Sequence, residues 1–321
     1  MWREQVLAQC PTLLKQPRTT WPSGWLQTII SFLFPADTPV VESTKVNTQR
    51  GEHTVRLKWL TPRRRKHLAV HIPGAGASIN LIDVSLSKSQ KDWAIARFCY
   101  PFDDPDALPG FAYGLTDDVG CMIESVANEY DRIVIVGACY GGNVLSTWCK
   151  RNPMRARRLT ACIFLAHGHT ALQTQHSADR WVLPSWLILK RWRSELRGNA
   201  VSLPCQKMWH TRSIKEWNDR ATDRPCEETD AGADARCLPV RAVYIGSQDD
   251  PLCPVNRLQS SLHQDFLDHE RAIVVATNTG GHCAWIDGLN TSSWLTDSLS
   301  ELLAHFASVS YNLPKEIPTM D

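Results

Sequence analysis

The 321-residue sequence predicts an α/β fold: a mostly parallel central sheet flanked by helices, interrupted by an inserted lid. Three observations carry this. Short β-branched or apolar runs alternate with segments that read as helices, the rhythm of βαβ units. One run, Arg132 to Val136, is apolar enough for a strand buried on both faces. A Trp-rich and then polar, irregular stretch at 168–236 breaks the rhythm without a strand–helix pattern of its own. Hydrophobic residues are 43% of the chain and charged residues 21%, the balance of a packed globular protein. The expected organisation is an N-terminal extension over 1–50, a core formed by 51–167 and 237–310, the lid over 168–236, and a tail over 311–321.

The elements follow in order. Residues 54–60, Thr-Val-Arg-Leu-Lys-Trp-Leu, alternate as a half-buried strand does. A basic turn, Pro62 to Lys66, leads to a second strand, His67 to Ile72, and Ile95 to Tyr100 forms a third. Thr116-Asp117-Asp118 supplies an N-cap hydroxyl and first-turn acids for a helix through Tyr130. The buried strand Arg132 to Val136 is followed by a helix from Gly142 to Lys150 and a strand from Thr160 to Ala166. Val240 to Ile245 and Ala272 to Ala276 complete the set.

Bulk charge names no partner, since the formal net charge is +2. The basic runs Arg63 to Lys66 and Lys150 to Arg158 read as solvated turns and helix ends, so no nucleic-acid partner is expected. None of the eleven cysteines stands in a C-x-x-C pair, so neither a structural zinc site nor a thioredoxin-like site is indicated. No apolar segment follows Met1-Trp2-Arg3-Glu4-Gln5, and Leu26 to Phe34 is far short of the ~20 residues that span a bilayer. Reduced thiols and a cytoplasmic setting are expected. The segment Arg180 to Arg193 has an apolar, Trp-rich body and a basic end at Lys190, Arg191 and Arg193. It suits either a cover over an acyl pocket with peripheral membrane contact or a helix packed on the sheet's rim.

The chemistry centres on Gly137-Ala138-Cys139-Tyr140-Gly141-Gly142, where the buried strand turns into a helix. Flanking glycines let the chain bend sharply and project the central side chain above the sheet. A residue there also sits at a helix N-terminus, whose partial positive charge favours a thiolate. Cys139 is the candidate nucleophile; its other reading is a small buried residue closing the strand. An acid and a base follow in chain order. Asp249-Asp250-Pro251 comes directly after a strand, and Gly280-Gly281-His282 offers an imidazole on a tight loop. Asp250 is preferred because Asp250-x-x-x-Pro254 has the spacing of an acid loop, with Asp249 as the alternative. An oxyanion hole needs two backbone N–H groups. Tyr140 supplies one, and the turn Pro73-Gly74-Ala75-Gly76-Ala77 the other, with Ala75 the favoured donor. That turn lacks the series of a phosphate loop or dinucleotide fingerprint, so no nucleotide cofactor is expected.

With these residues the chain resembles the α/β-hydrolase subgroup that contains bacterial YheT, the plant embryogenesis-associated hydrolases and the animal phospholipid-cleaving α/β-hydrolase-domain proteins. Gly24-Trp25-Leu26-Gln27-Thr28-Ile29 is similar to that group's N-terminal signature, and Ser213 to Thr222 to its lid segment. The acid and histidine loops match too, so the resemblance spans roughly 20–305. It implies an α/β-hydrolase fold and hydrolysis of a small-molecule or lipid acyl ester, with no metal and no cofactor. Two positions depart from the group: Cys139 stands where it carries serine, and Pro73-Gly74 where it reads His-Gly. The elbow also resembles that of dienelactone hydrolases, which run a Cys-His-Asp triad on this fold.

The leading expectation is therefore a carboxylic ester or thioester hydrolase. Cys139 forms the acyl-enzyme, His282 acts as base, Asp250 orients it, and Tyr140 and Ala75 hold the oxyanion. The alternatives are a lactone hydrolase and a weakly active or inactive binding protein.

Overall fold

The computed structural model describes residues 2–33, 38–47, 54–74, 81–99, 116–167, 190, 212, 216, 238–256, 271–288 and 291–309. Ala75, nearly all of 168–236 and the segment Arg180 to Arg193, except for Lys190, lie outside the described residues. Among the described residues no helix is long and apolar enough to cross a membrane.

Among the described residues eight strands form one sheet: β1 (Glu42–Asn47), β2 (Thr54–Trp59), β3 (His67–Ile72), β4 (Trp93–Cys99), β5 (Arg132–Ala138), β6 (Ala161–Leu165), β7 (Ala242–Ser247) and β8 (Ala272–Thr277). Their spatial order is β1-β2-β4-β3-β5-β6-β7-β8. β1 and β2 pair antiparallel, as do β2 and β4, while every pairing from β4 across to β8 is parallel. Every residue of β3 is buried, as are those of β6 and β7, so these strands do not alternate between core and solvent, and the polar side chains among them, His67, His71 and Ser247, are buried with the rest.

Alternate residues feed two cores. On one face Leu68, Val70, Ile135, Phe164 and Tyr244 pack with helices α4 (Thr116–Val126) and α5 (Tyr140–Arg151), through Val119, Met122, Val144 and Trp148. On the other face Ala69, Val134, Val136, Ile163 and Ile245 pack with α3 (Leu81–Ser89) and the C-terminal helix α7 (Ser293–Ser308), α6 being the short Pro153–Ala156 turn. The reason α7 forms is plain in its sequence. Ser292 caps it by accepting the Leu295 N–H at 3.3 Å. Leu295, Leu299, Leu302, Leu303 and Phe306 then recur at helical spacing and are completely buried. Each such side chain contributes about 1.5–3 kcal/mol by leaving water.

The strands read from sequence are all present, with small shifts at their ends. β5 runs two residues further than its apolar run, to Ala138, because β6 continues to pair with it up to Ala138–Leu165. α5 starts at Tyr140 rather than Gly142, directly behind Cys139. β1 was not visible as a strand, since Glu-Ser-Thr-Lys-Val-Asn is an edge with only Val46 buried. It lies within 1–50, so the sheet begins before residue 51. The same stretch also holds α1 (Trp2–Gln9) and α2 (Gly24–Leu33).

Parallel pairing lines up the carboxyl ends of β3, β5, β6, β7 and β8 along one edge, where open α/β sheets place their ligands. The backbone is crowded there. A Cβ on Gly141 would lie 2.2 Å from the Ile72 carbonyl oxygen and 2.5 Å from that of Pro73. Gly141→Ala is therefore expected to lose about 1–3 kcal/mol or more, read as a lower denaturant midpoint. Gly288→Ala approaches, among the described residues, a side chain rather than backbone, the Thr291 hydroxyl with its exposed bond to Asp287, and should change the midpoint less.

Candidate active site

The elbow sits where β5 meets α5. Cys139 has φ 49° and ψ −121°, a region that costs a non-glycine residue roughly 1–3 kcal/mol and persists only when neighbours over-determine it. They do so here. The Cys139 N–H donates to Leu165 O at 2.9 Å, and its carbonyl accepts the Gly142 N–H at 3.0 Å. Gly74 lies so close that an added Cβ would stand 2.8 Å from the Cys139 Cβ. The half-buried Cys139 thus projects from the strand end, and Tyr140 opens α5 with an N–H outside the helix's own i→i−4 ladder.

Asp250 follows β7 and is buried. Its Oδ1 accepts the backbone N–H groups of Leu252 and Cys253, both at 2.8 Å, closing a turn on the carboxylate. The same carboxylate faces His282, with Nδ1 3.0 Å from Oδ2 and 3.2 Å from Oδ1. Nδ1–H therefore donates to Asp250, which leaves Nε2 for the nucleophile side. The Cys139 sulfur, the Cys253 sulfur and a His282 ring nitrogen lie within 4.8 Å of one another. The three residues chosen from sequence are thus brought together, and it is Asp250 that meets the imidazole. Asp249 instead accepts the Gly281 N–H at 3.0 Å and holds the histidine loop.

That loop is anchored by the N-terminal segment, whose role was not legible in advance. Thr28 Oγ1 accepts the His282 N–H at 2.8 Å while donating to Gly24 O at 2.7 Å. Gln27 Oε1 accepts the Ile286 N–H at 3.1 Å. Ser247 Oγ donates to Gly281 O at 2.9 Å. Gly281 has φ +60°, and an added Cβ would meet Gly24 O at 2.5 Å. The signal in the sequence was the polar residues Gln27, Thr28 and Ser31 inside a mostly apolar helix; all three are buried.

The electrostatics favour an ion pair. Cys139 titrates well below an ordinary thiol: a hydrogen bond from the Cys253 thiol contributes most, burial opposes, and the charge of His282 adds to the shift. Burial works against a charged His282, yet the Asp250 carboxylate and then the Cys139 thiolate hold its imidazolium well above the usual value. Cys253 is pushed well up, chiefly by donating to Cys139. Cys283, buried and 3.6 Å from Leu165 O, is pushed up to about 12 chiefly by burial, so it stays a thiol.

No family model matches the chain. A 73-residue segment is 26% identical to the monoacylglycerol lipase ABHD2 of Danio rerio, covering 22% of this chain and 17% of that protein. Among solved structures, the hyperthermophilic esterase of the archaeon Pyrobaculum calidifontis is 13% identical with a TM-score of 0.56, covering 95% of this chain and 97% of that one. An arylesterase is 15% identical with a TM-score of 0.56, over 88% and 89% of the two chains. The meta-cleavage product hydrolase of Pseudomonas fluorescens is 15% identical with a TM-score of 0.53, over 82% and 97%. The chain has the α/β-hydrolase fold. The curated relative is matched over less than a fifth of its length, and the structural neighbours share architecture rather than sequence.

A thiolate held by this ion pair should be alkylated by iodoacetamide at pH values where an ordinary cysteine has become unreactive. As pH falls the reaction stops only when the depressed Cys139 pKa is crossed, so its midpoint lies below that of an ordinary cysteine. His282→Ala removes the cation and should move the midpoint upward. Peptide mapping of the alkylated residue across pH, in both proteins, measures the shift.

Proposed function

We propose that the chain hydrolyses carboxylic esters or thioesters through an acyl-thioester on Cys139. The observation that carries this reading is the continuous Cys139–His282–Asp250 arrangement at the carboxyl edge of the sheet, with the imidazole held by two contacts to a buried carboxylate. The Cys139 thiolate attacks the acyl carbon, and the carbonyl oxygen becomes an oxyanion. Tyr140 N–H is the donor expected from the elbow, and Ala75 N–H is proposed as the second. Collapse of the adduct expels the alcohol or thiol, which takes the proton carried by His282. The neutral imidazole then removes a proton from water as it attacks the thioester, and Cys139 leaves as thiolate. His282 is again imidazolium, and the acid product departs.

A thiol nucleophile biases the substrate. In the tetrahedral adduct Cys139 competes with the substrate's own leaving group, and a thiolate leaves far more readily than a simple alkoxide. Activated esters and thioesters therefore partition forward, while simple alkyl esters return to starting material. The lipase to which a segment of the chain is similar supports a lipid acyl group as the substrate's acid part.

The test is turnover of a matched panel of alkyl esters, aryl esters and thioesters. Thioesters and aryl esters should react at least tenfold faster than alkyl esters of the same acid. Cys139→Ala should lower kcat/KM by about 10³-fold or more, and His282→Ala by roughly 10²–10⁴-fold. Turnover unchanged in Cys139→Ala would refute the assignment. Equal rates on alkyl esters and thioesters would refute the preference.

A further inference from the structure

Acyl transfer has no use for Cys253 as a reacting group, yet its thiol is built into the site. It stands three residues after Asp250, its N–H donates to Asp250 Oδ1 at 2.8 Å, and it is 7% exposed. The carboxylate that orients the imidazole therefore also fixes the backbone that carries the second sulfur. The two sulfurs and a ring nitrogen of His282 all lie within 4.8 Å of one another. They come from three separate loops, after β5, β7 and β8, which is why no C-x-x-C spacing announces them.

We propose that Cys139, Cys253 and His282 form a binding site for a soft divalent cation, Zn²⁺, which holds the enzyme in an inactive state. Two thiolates and an imidazole are donors that select Zn²⁺ over Mg²⁺ or Ca²⁺. Tetrahedral zinc, with bonds of about 2.3 Å to sulfur and 2.0–2.1 Å to nitrogen, needs donors roughly 3.4–3.8 Å apart. The observed limit of 4.8 Å leaves about 1 Å to close, within reach of side-chain rotation alone. The outer shell is also in place. A zinc-ligating histidine characteristically donates its other ring N–H to a carboxylate, and Asp250 already accepts from Nδ1. Three protein ligands leave a fourth position for water.

Thiolate and neutral imidazole are the forms that bind metal, so uptake of Zn²⁺ at this cluster releases any proton its donors carry. Bound metal occupies the Cys139 lone pair and His282 Nε2, the atoms acyl transfer needs. This inhibition rests on the hydrolase reading; the metal site itself does not.

The full-length, reduced and chelator-treated protein is titrated with Co²⁺ as a spectroscopic stand-in for zinc, then with Zn²⁺ in competition. One equivalent of Co²⁺ should give thiolate-to-cobalt charge-transfer bands and tetrahedral ligand-field bands. Cys253→Ser should lose about half the charge-transfer intensity and bind Zn²⁺ at least tenfold more weakly. Cys139→Ser should behave alike, and Asp250→Asn should weaken binding about 10–100-fold. Zn²⁺ should inhibit thioester turnover, with the inhibition constant rising at least tenfold in Cys253→Ser. Absence of charge-transfer bands, or bands unaltered in both serine variants, overturns the site. Bands that behave as expected in a protein inactive on every ester would uphold the metal site and sink the hydrolase reading. Ester turnover without any bands would do the reverse.

Discussion

The buried carboxylate of Asp250 is the point on which the rest of the site turns. It accepts two N–H groups from its own loop and faces Nδ1 of His282. Each of these contacts has a separate consequence. The backbone bonds close the loop and place Cys253. The contact to the imidazole fixes its tautomer and supports its charge. That charge in turn favours the Cys139 thiolate. An unpaired carboxylate at this depth would be costly, so the loop, the histidine and the charge are held in register together.

The sheet supplies what this contact cannot. Carboxylate, imidazole and sulfur lie far apart in sequence and meet only because parallel pairing brings the ends of β5, β7 and β8 to one edge. Strain at Cys139 is tolerated because Leu165, Gly74 and Gly142 surround its backbone. The histidine loop depends on α2, near the other end of the chain, through Thr28 and Gln27. A site built this way is precise where its backbone is enclosed, and that precision brings a second sulfur within metal-ligating reach.

Much of this was legible in the sequence, and the reasons are specific. β3, β5, β6 and β7 announce themselves because strands buried on both faces are largely apolar, even though β3 carries His67 and His71. Cys139 announces itself through its glycines, and Asp250 and His282 through their positions after strands. β1 escaped notice because an edge strand with one buried side chain carries no pattern. Neither the support from Gln27 and Thr28 nor the position of Cys253 beside Cys139 could be read. Both are contacts between segments separated by more than a hundred residues, and only the folded chain brings them together.

The central claim is that Cys139, activated by His282 and Asp250, carries the acyl group. Rapid quenching of the wild-type protein during thioester turnover, followed by mass spectrometry of its peptides, tests this directly. The account predicts an acyl adduct on the peptide containing Cys139, formed and lost at rates compatible with turnover and absent from Cys139→Ala. Turnover with no adduct on that peptide, or with the acyl group on another residue, would contradict it.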